Sequence, residues 1–80
     1  MKLSNLKPGQ ACTVAGFEQG NTQYRNKLLA LGLTRGTRLT VHKIAPLGDP
    51  VEVEARGFRL SLRKAEAAIL VLESIPEDHP

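Results

Sequence analysis

Residues 51–63 alternate apolar and polar positions on both sides of an Arg56-Gly57 dipeptide. Alternation of this kind is typical of a two-stranded hairpin, and Gly57 suits a two-residue turn because glycine adopts positive φ without steric cost. Counting outward from the turn, the predicted inner pairs are Ala55 with Phe58, Val53 with Leu60 and Val51 with Leu62, and the outer pairs are Glu54 with Arg59 and Glu52 with Ser61. A slip of one residue would mix the two sets, so the pattern also predicts the register.

One helix is predicted between Asn21 and Gly32. Asn21 is a suitable N-cap residue, and Gly32 is a suitable C-terminal stop. Between them, Tyr24, Leu28 and Leu31 recur at positions i, i+4 and i+7. This spacing predicts one apolar stripe that faces the core.

Three further strands are predicted at residues 11–17, 37–44 and 68–73. The last is a nearly continuous apolar run, so we expect it to be buried on both faces. Gly16 predicts either a bulge or a close backbone approach in the first strand. The remaining connections are predicted as a short turn at 3–6, a proline-bounded loop at 45–50 and a helical turn at 64–67.

These elements predict a mainly β fold with five short strands and one helix. Short strands with turn signals between them favour a small barrel, because closure removes exposed strand edges. A chain of 80 residues supports a single core. We therefore expect one domain over residues 1–74 and a flexible C-terminal tail over residues 75–80.

Charge and cysteine content indicate the kind of surface and the cellular compartment to expect for this domain. The net charge is +3, but the basic residues are dispersed and interleaved with acidic ones, which favours a solvated surface over a dedicated nucleic-acid binder. Cys12 is the single cysteine, so no internal disulfide is possible and a reducing compartment is expected. No apolar run resembles a signal peptide or a membrane span. We therefore expect a cytoplasmic protein without direct membrane insertion.

The residue types that carry chemistry do not form a recognisable site. The soft or borderline metal ligands are Cys12, His42 and His79, and their spacing matches no known metal-binding motif. We expect Cys12 to be a buried core thiol, His42 to be a surface imidazole and His79 to lie in the tail. A hard-cation site is the weaker alternative, built from Asp49, Glu52 and Glu54. No nucleophile has an adjacent base, and no glycine-rich phosphate loop is present. The sequence thus predicts no enzyme, no metal and no cofactor.

Nucleic-acid binding by a small barrel usually requires aromatic side chains on which bases stack. The aromatic residues here are Phe17, Tyr24 and Phe58. Tyr24 is assigned to the helix stripe and Phe58 to the inner face of the hairpin, which leaves at most one aromatic ring for stacking. We therefore expect no nucleic-acid partner.

Four segments together resemble the FeoA family in order and spacing. They are Leu3-x-x-Leu6-x-Pro8-Gly9, Lys27-Leu28-Leu29-Ala30-Leu31-Gly32-Leu33-x-x-Gly36, Ala45-Pro46-Leu47-Gly48-Asp49-Pro50 and Leu60-Ser61-Leu62-Arg63. The resemblance implies an SH3-like five-stranded barrel with one inserted helix. It also implies a role in bacterial ferrous iron uptake as an accessory of FeoB, a membrane iron transporter with a cytosolic G domain. The alternative is a freestanding SH3-like barrel that binds RNA or the ribosome.

We expect the partner-binding surface to combine the end of the helix with the proline-bounded loop. The residues assigned to it are Leu33, Pro46, Leu47 and Asp49. Leu47 lies between Pro46 and Gly48 in a loop that must run over the surface, where an apolar side chain has no evident core to enter. The competing interpretation is structural, in which Leu47 caps one end of the barrel and Leu33 closes the helix.

Overall fold

The computed structural model describes residues 1–75. A 3₁₀ turn at Leu3–Asn5 precedes β1 (Ala11–Phe17), α1 (Thr22–Ala30), β2 (Arg38–Ile44), β3 (Val51–Ala55), β4 (Phe58–Leu62), α2 (Lys64–Ala67) and β5 (Leu70–Ser74). The five strands and the inserted helix agree with the elements predicted from the pattern. Most of the predicted tail, including His79, lies outside the described residues.

The strands form one antiparallel sheet in the order β4-β3-β2-β1-β5. The β3–β4 hairpin has the predicted register, with all five pairs from Val51–Leu62 to Ala55–Phe58 in place. Arg56 and Gly57 have φ values of 53° and 80°, the left-handed conformation that a two-residue type I′ turn requires. β4 and β5 are the outermost strands of the ladder, so the described backbone does not close the barrel by hydrogen bonding between them.

Two bulges bend the sheet. The β1–β5 register shifts between Val14 and Gly16, which confirms the bulge predicted at this glycine. The β2–β3 register shifts between Val41 and Lys43, so His42 lies in a bulge and is exposed. Bulges increase local twist and allow a short sheet to curve around its own core.

The core receives side chains from every strand, from α1 and from the N-terminal turn. The fully buried large side chains are Leu28, Leu33, Leu39, Leu62, Leu70, Val14, Val41, Val53 and Cys12. Cys12 is thus the core thiol that was expected, and burial raises its pKa above the ordinary value. A sheet that curls around one apolar core accounts for the stability of a chain this short.

The capping signals of α1 are confirmed. The Asn21 side-chain oxygen accepts a hydrogen bond from the Tyr24 backbone N–H at 3.0 Å. Gly32 follows the last helical turn with φ of +91°, where a side chain would be strained. The predicted stripe is narrower than expected, because Leu28 is buried while Tyr24 is only half-buried and Leu31 is exposed.

Two burial predictions on the sheet are wrong. β5 is buried on one face only, because its residues alternate between buried Leu70 and Leu72 and exposed or half-buried neighbours. Phe58 has the predicted register, but it is 70% exposed because it lies beside the hairpin turn at the end of the edge strand β4. Burial therefore falls toward the hairpin end of β4.

Candidate functional site

The proline-bounded loop at residues 45–50 forms a fixed turn between β2 and β3. The Gly48 N–H donates to the Ala45 carbonyl at 2.7 Å, and the Ala45 N–H donates to the Pro50 carbonyl at 3.1 Å. Gly48 has φ of +81°, which favours glycine over any residue with a side chain. The loop is therefore held by its own backbone and by the restricted φ of its prolines.

Leu47 lies at the tip of this turn and is 91% exposed. The side chain consequently does not cap the barrel core, which removes the structural interpretation for this residue. Pro46 is also exposed beside it. An exposed leucine alone is ordinary, but this one is also held on a hydrogen-bonded turn.

Asp49 links this loop to α2. One of its carboxylate oxygens, Oδ1, accepts a hydrogen bond from the Lys64 backbone N–H at 3.0 Å, at the first residue of the helix. Such a bond satisfies a helical N–H that has no partner within the helix. Asp49 was expected on a binding surface, and the structure gives it a positioning role in which it holds the loop against α2.

Leu33 is not part of this surface. The prediction placed it on an accessible patch at the end of α1, but it is fully buried and belongs to the core. The reason is the left-handed turn at Gly32, after which the Leu33 N–H donates to the Leu28 carbonyl at 3.0 Å and the chain folds inward. The accessible members of the predicted set are therefore Pro46, Leu47 and Asp49.

An apolar cleft of about 330 Å³ adjoins the loop through Gly48. We call it the α2 cleft, because α2 and the residue after it form one wall. Its lining residues are Lys2, Leu3, Ser4, Ile44, Gly48, Val51, Lys64, Ala67 and Ala68. The walls are mainly aliphatic, and the charged residues among them are two lysines. The cleft is thus a mainly apolar depression next to the loop that carries the exposed Leu47.

Lys2 fixes one end of the cleft. Its ammonium group donates to Glu18 Oε1 at 2.8 Å and to the Ala68 carbonyl at 2.9 Å. The hydrogen bond and the positive charge of Lys2 lower the pKa of the Glu18 carboxyl below its ordinary value. These contacts hold the N-terminal turn against the segment that follows α2.

A second ion pair positions α2 from the other side. Glu66 is 6% exposed, and its carboxylate accepts from Lys27 Nζ on α1 at 2.5 Å and from the Arg63 backbone N–H at 3.0 Å. The Lys27 contact and then the Arg63 N–H lower the pKa of Glu66. Sequence reasoning missed this pair. The available signal was a glutamate three residues after Arg63, the spacing at which a first-turn carboxylate reaches back to the N-cap.

Among residues 1–75, no group of three or more histidine, cysteine or acidic side chains is placed to hold a metal ion. No helix within the same residues is long and apolar enough to cross a membrane. Glu54, one of the residues of the alternative hard-cation site, is exposed on the outer side of the hairpin. It lies opposite Arg59 in the β3–β4 register.

Known proteins with similar sequences match nearly the whole chain. Residues 1–74 match the family model described as the FeoA domain. A protein of Porphyromonas gingivalis (strain ATCC BAA-308 / W83), described as an Fe(2+) transport protein A/Fe(2+) transporter FeoB fusion protein, is 35% identical over 75 residues. That match covers 94% of this chain and 9% of the relative, so the chain spans less than a tenth of the fusion protein.

Solved structures of FeoA proteins have the same fold. The solution structure of FeoA from Chlorobium tepidum has a TM-score of 0.86 and 39% identity, over 99% of this chain and 74% of that one. The zinc-complexed crystal structure of Stenotrophomonas maltophilia FeoA, described as an SH3 domain protein, has a TM-score of 0.78 and 26% identity. It matches over 91% of this chain and 89% of its own.

These similarities bear on the fold and on the two functions that the sequence left open. They confirm the SH3-like fold, and the curated relative is named for Fe(2+) transport, whereas the RNA-binding or ribosome-binding alternative receives no support. The fusion relative also shows that evolution has joined an FeoA segment to an FeoB transporter in one polypeptide. This chain therefore belongs to the FeoA domain family.

Proposed function

We propose that this chain is a non-catalytic cytoplasmic accessory of ferrous iron uptake that docks on an FeoB-like transporter. The contact surface in this proposal is the docking loop, defined as residues 45–50 with Leu47 at its tip, together with the adjoining α2 cleft. The observation that carries the proposal is the 91% exposure of Leu47 on a turn whose backbone is held by hydrogen bonds. The fusion relative names the partner class.

Docking through this surface would use the hydrophobic effect with little loss of loop entropy. Burying one leucine side chain contributes roughly 1.5 to 3 kcal/mol. Because the turn is already ordered, little of that free energy is spent on fixing the loop at the moment of contact. The neighbouring cleft would accept an apolar side chain from the transporter, so that each partner inserts one apolar group into the other.

The proposal is tested with Leu47→Asp, which keeps the turn but replaces the apolar tip with a charge. We expect at least tenfold weaker capture of the FeoB-like transporter from detergent-solubilised membranes, since losing a contact of about 1.4 kcal/mol lowers affinity tenfold. Ferrous iron uptake by cells that depend on this chain should fall with it. The melting temperature of the isolated chain should be unchanged, because Leu47 contributes nothing to the core.

Leu47→Met is the matched control, because methionine retains an apolar side chain of similar volume. It should keep both capture and uptake. Normal uptake with Leu47→Asp in a folded chain would remove the docking loop from the functional surface. A drop in melting temperature of several degrees would show instead that Leu47 supports the fold.

A further inference from the structure

The outer edge of β4 offers backbone groups to another strand. Among residues 1–75, β4 pairs with β3 alone, and Ala55 and Phe58 flank the two-residue turn as a hydrogen-bonded pair. Hydrogen bonding alternates along an antiparallel ladder, so the N–H and C=O groups of Arg59 and Ser61 point away from β3. Within residues 1–75, no loop, helix or side chain hydrogen-bonds to these two residues from outside the hairpin.

β4 carries a row of apolar side chains that becomes more exposed toward the hairpin turn. Leu62 is fully buried, Leu60 is half-buried and Phe58 is 70% exposed. All three lie on the same face, because side chains alternate along a strand. A sixth strand beside β4 would cover Leu60 and Phe58 and extend the inner face of the barrel.

The charge of this edge selects the kind of strand that fits. Arg59, Arg63 and Lys64 lie on or directly after β4, which itself contains no acidic residue. None of the three forms a salt bridge in the described part of the chain. β3, the strand that β4 already accepts, places apolar side chains inward and Glu52 and Glu54 outward. The free edge of β4 is therefore complementary to a strand that, like β3, alternates apolar side chains on the inner face with acidic side chains on the outer face.

A second copy of this chain fits the edge less well than an acidic strand. Antiparallel pairing of two β4 strands about Ser61 would set Arg59 of each copy opposite Arg63 of the other. Like charges directly opposite each other on neighbouring strands are destabilising. In that register, the same cations that would attract an acidic partner disfavour the pairing of two copies.

We propose that the free edge of β4 binds an extended segment of a partner protein in which apolar and acidic residues alternate, adding it as a sixth strand. Backbone hydrogen bonds to Arg59 and Ser61 supply the affinity, and Phe58 and Leu60 receive the apolar side chains. The acidic residues lie over Arg59 and Arg63. This surface is separate from the docking loop and does not depend on the function proposed for that loop.

The test uses the full chain labelled with ¹⁵N and a capped ten-residue peptide in which valine and glutamate alternate. We expect submillimolar binding that weakens with added salt. Amide hydrogen exchange at Arg59 and Ser61 should slow at least tenfold at saturating peptide. A peptide with lysine in place of glutamate, and a peptide N-methylated at its glutamates, whose N–H groups face β4 in antiparallel pairing, should both bind at least tenfold more weakly.

Ser61→Pro removes the outward N–H without removing a hydrogen bond to β3, and Ser61→Ala is its matched control. The proline variant should bind the valine-glutamate peptide at least tenfold more weakly than the wild type, and the alanine variant should bind it equally well. If the proline variant does not fold, the N-methylated peptide decides. The proposal is overturned by unchanged exchange at Arg59 and Ser61, by equal binding of the N-methylated peptide, or by a wild-type dimer that pairs through β4.

Discussion

Leu62, Leu60 and Phe58 lie at alternate positions on one face of β4, yet their exposure rises steadily toward the hairpin turn. The cause is position in the sheet rather than residue type, because β4 is an edge strand with no neighbouring strand to cover Phe58 and Leu60. A buried side chain contributes both its transfer free energy and the cavity that its removal would leave. An exposed side chain on the same face contributes neither in full.

The first prediction concerns alanine substitutions along this row. Leu62→Ala should lower the free energy of unfolding by about 2 to 5 kcal/mol, as truncation of a buried leucine does. Leu60→Ala should cost less, because the side chain is half-buried, and Phe58→Ala should cost least. Urea denaturation measures all three. Glu54→Ala, on the exposed outer side, is the control and should change stability little; equal losses at Leu60 and Glu54 would contradict the register.

At the scale of the element, α2 is a single helical turn that depends on side chains from elsewhere. Asp49 accepts from its first N–H, and Glu66 joins it to α1 through Lys27. A four-residue helix is too short to be stable by its own backbone hydrogen bonds. These two carboxylates therefore position one wall of the α2 cleft.

The second prediction is that Glu66→Gln destabilises the chain by about 1 kcal/mol at neutral pH, because a charge-assisted hydrogen bond is replaced by a neutral one. The pKa of Glu66 is lower in the folded chain than in the unfolded chain. Its contribution is therefore fully present above the unfolded value, near 4.3 to 4.5, and is lost as pH falls through the folded pKa.

Thermal unfolding of wild type and variant across the acid range measures this effect. The difference in stability should be constant above about pH 5 and should shrink as the medium becomes more acidic. Glu18→Gln is the control for a lowered pKa at an exposed pair, and added salt should reduce its effect more strongly. A Glu66→Gln difference that did not change with pH would contradict the assigned role of the carboxylate.

Local chemistry explains which elements could be predicted from the sequence. Asn21 and Gly32 act on neighbouring backbone, so the ends of α1 were readable, and the alternation of β3 and β4 determined their register. Burial depends on distant parts of the chain. Leu33 is buried because Gly32 turns the chain inward, and the partner of Glu66 is 39 residues away. The sequence left the burial of Leu47 open, and its 91% exposure follows from a turn formed by neighbouring residues.

At the scale of the whole molecule, the barrel carries two separate surfaces on one small core. The docking loop and the α2 cleft lie at the junction of β2, β3 and α2, and the free edge of β4 carries cations and an exposed phenylalanine. The first surface is apolar and preorganised, whereas the second is an open ladder of backbone groups. In the proposed docking role, the chain would act through contacts of these kinds.

The most direct test of docking through Leu47 is site-specific photo-crosslinking in cells that contain the FeoB-like transporter. A p-benzoylphenylalanine residue is placed at position 47 in one variant and at exposed Gln23 on α1 in the control. The account predicts a crosslink to the transporter from position 47 and little or none from position 23. A crosslink from position 23 with none from position 47, in chains of equal stability, would contradict it.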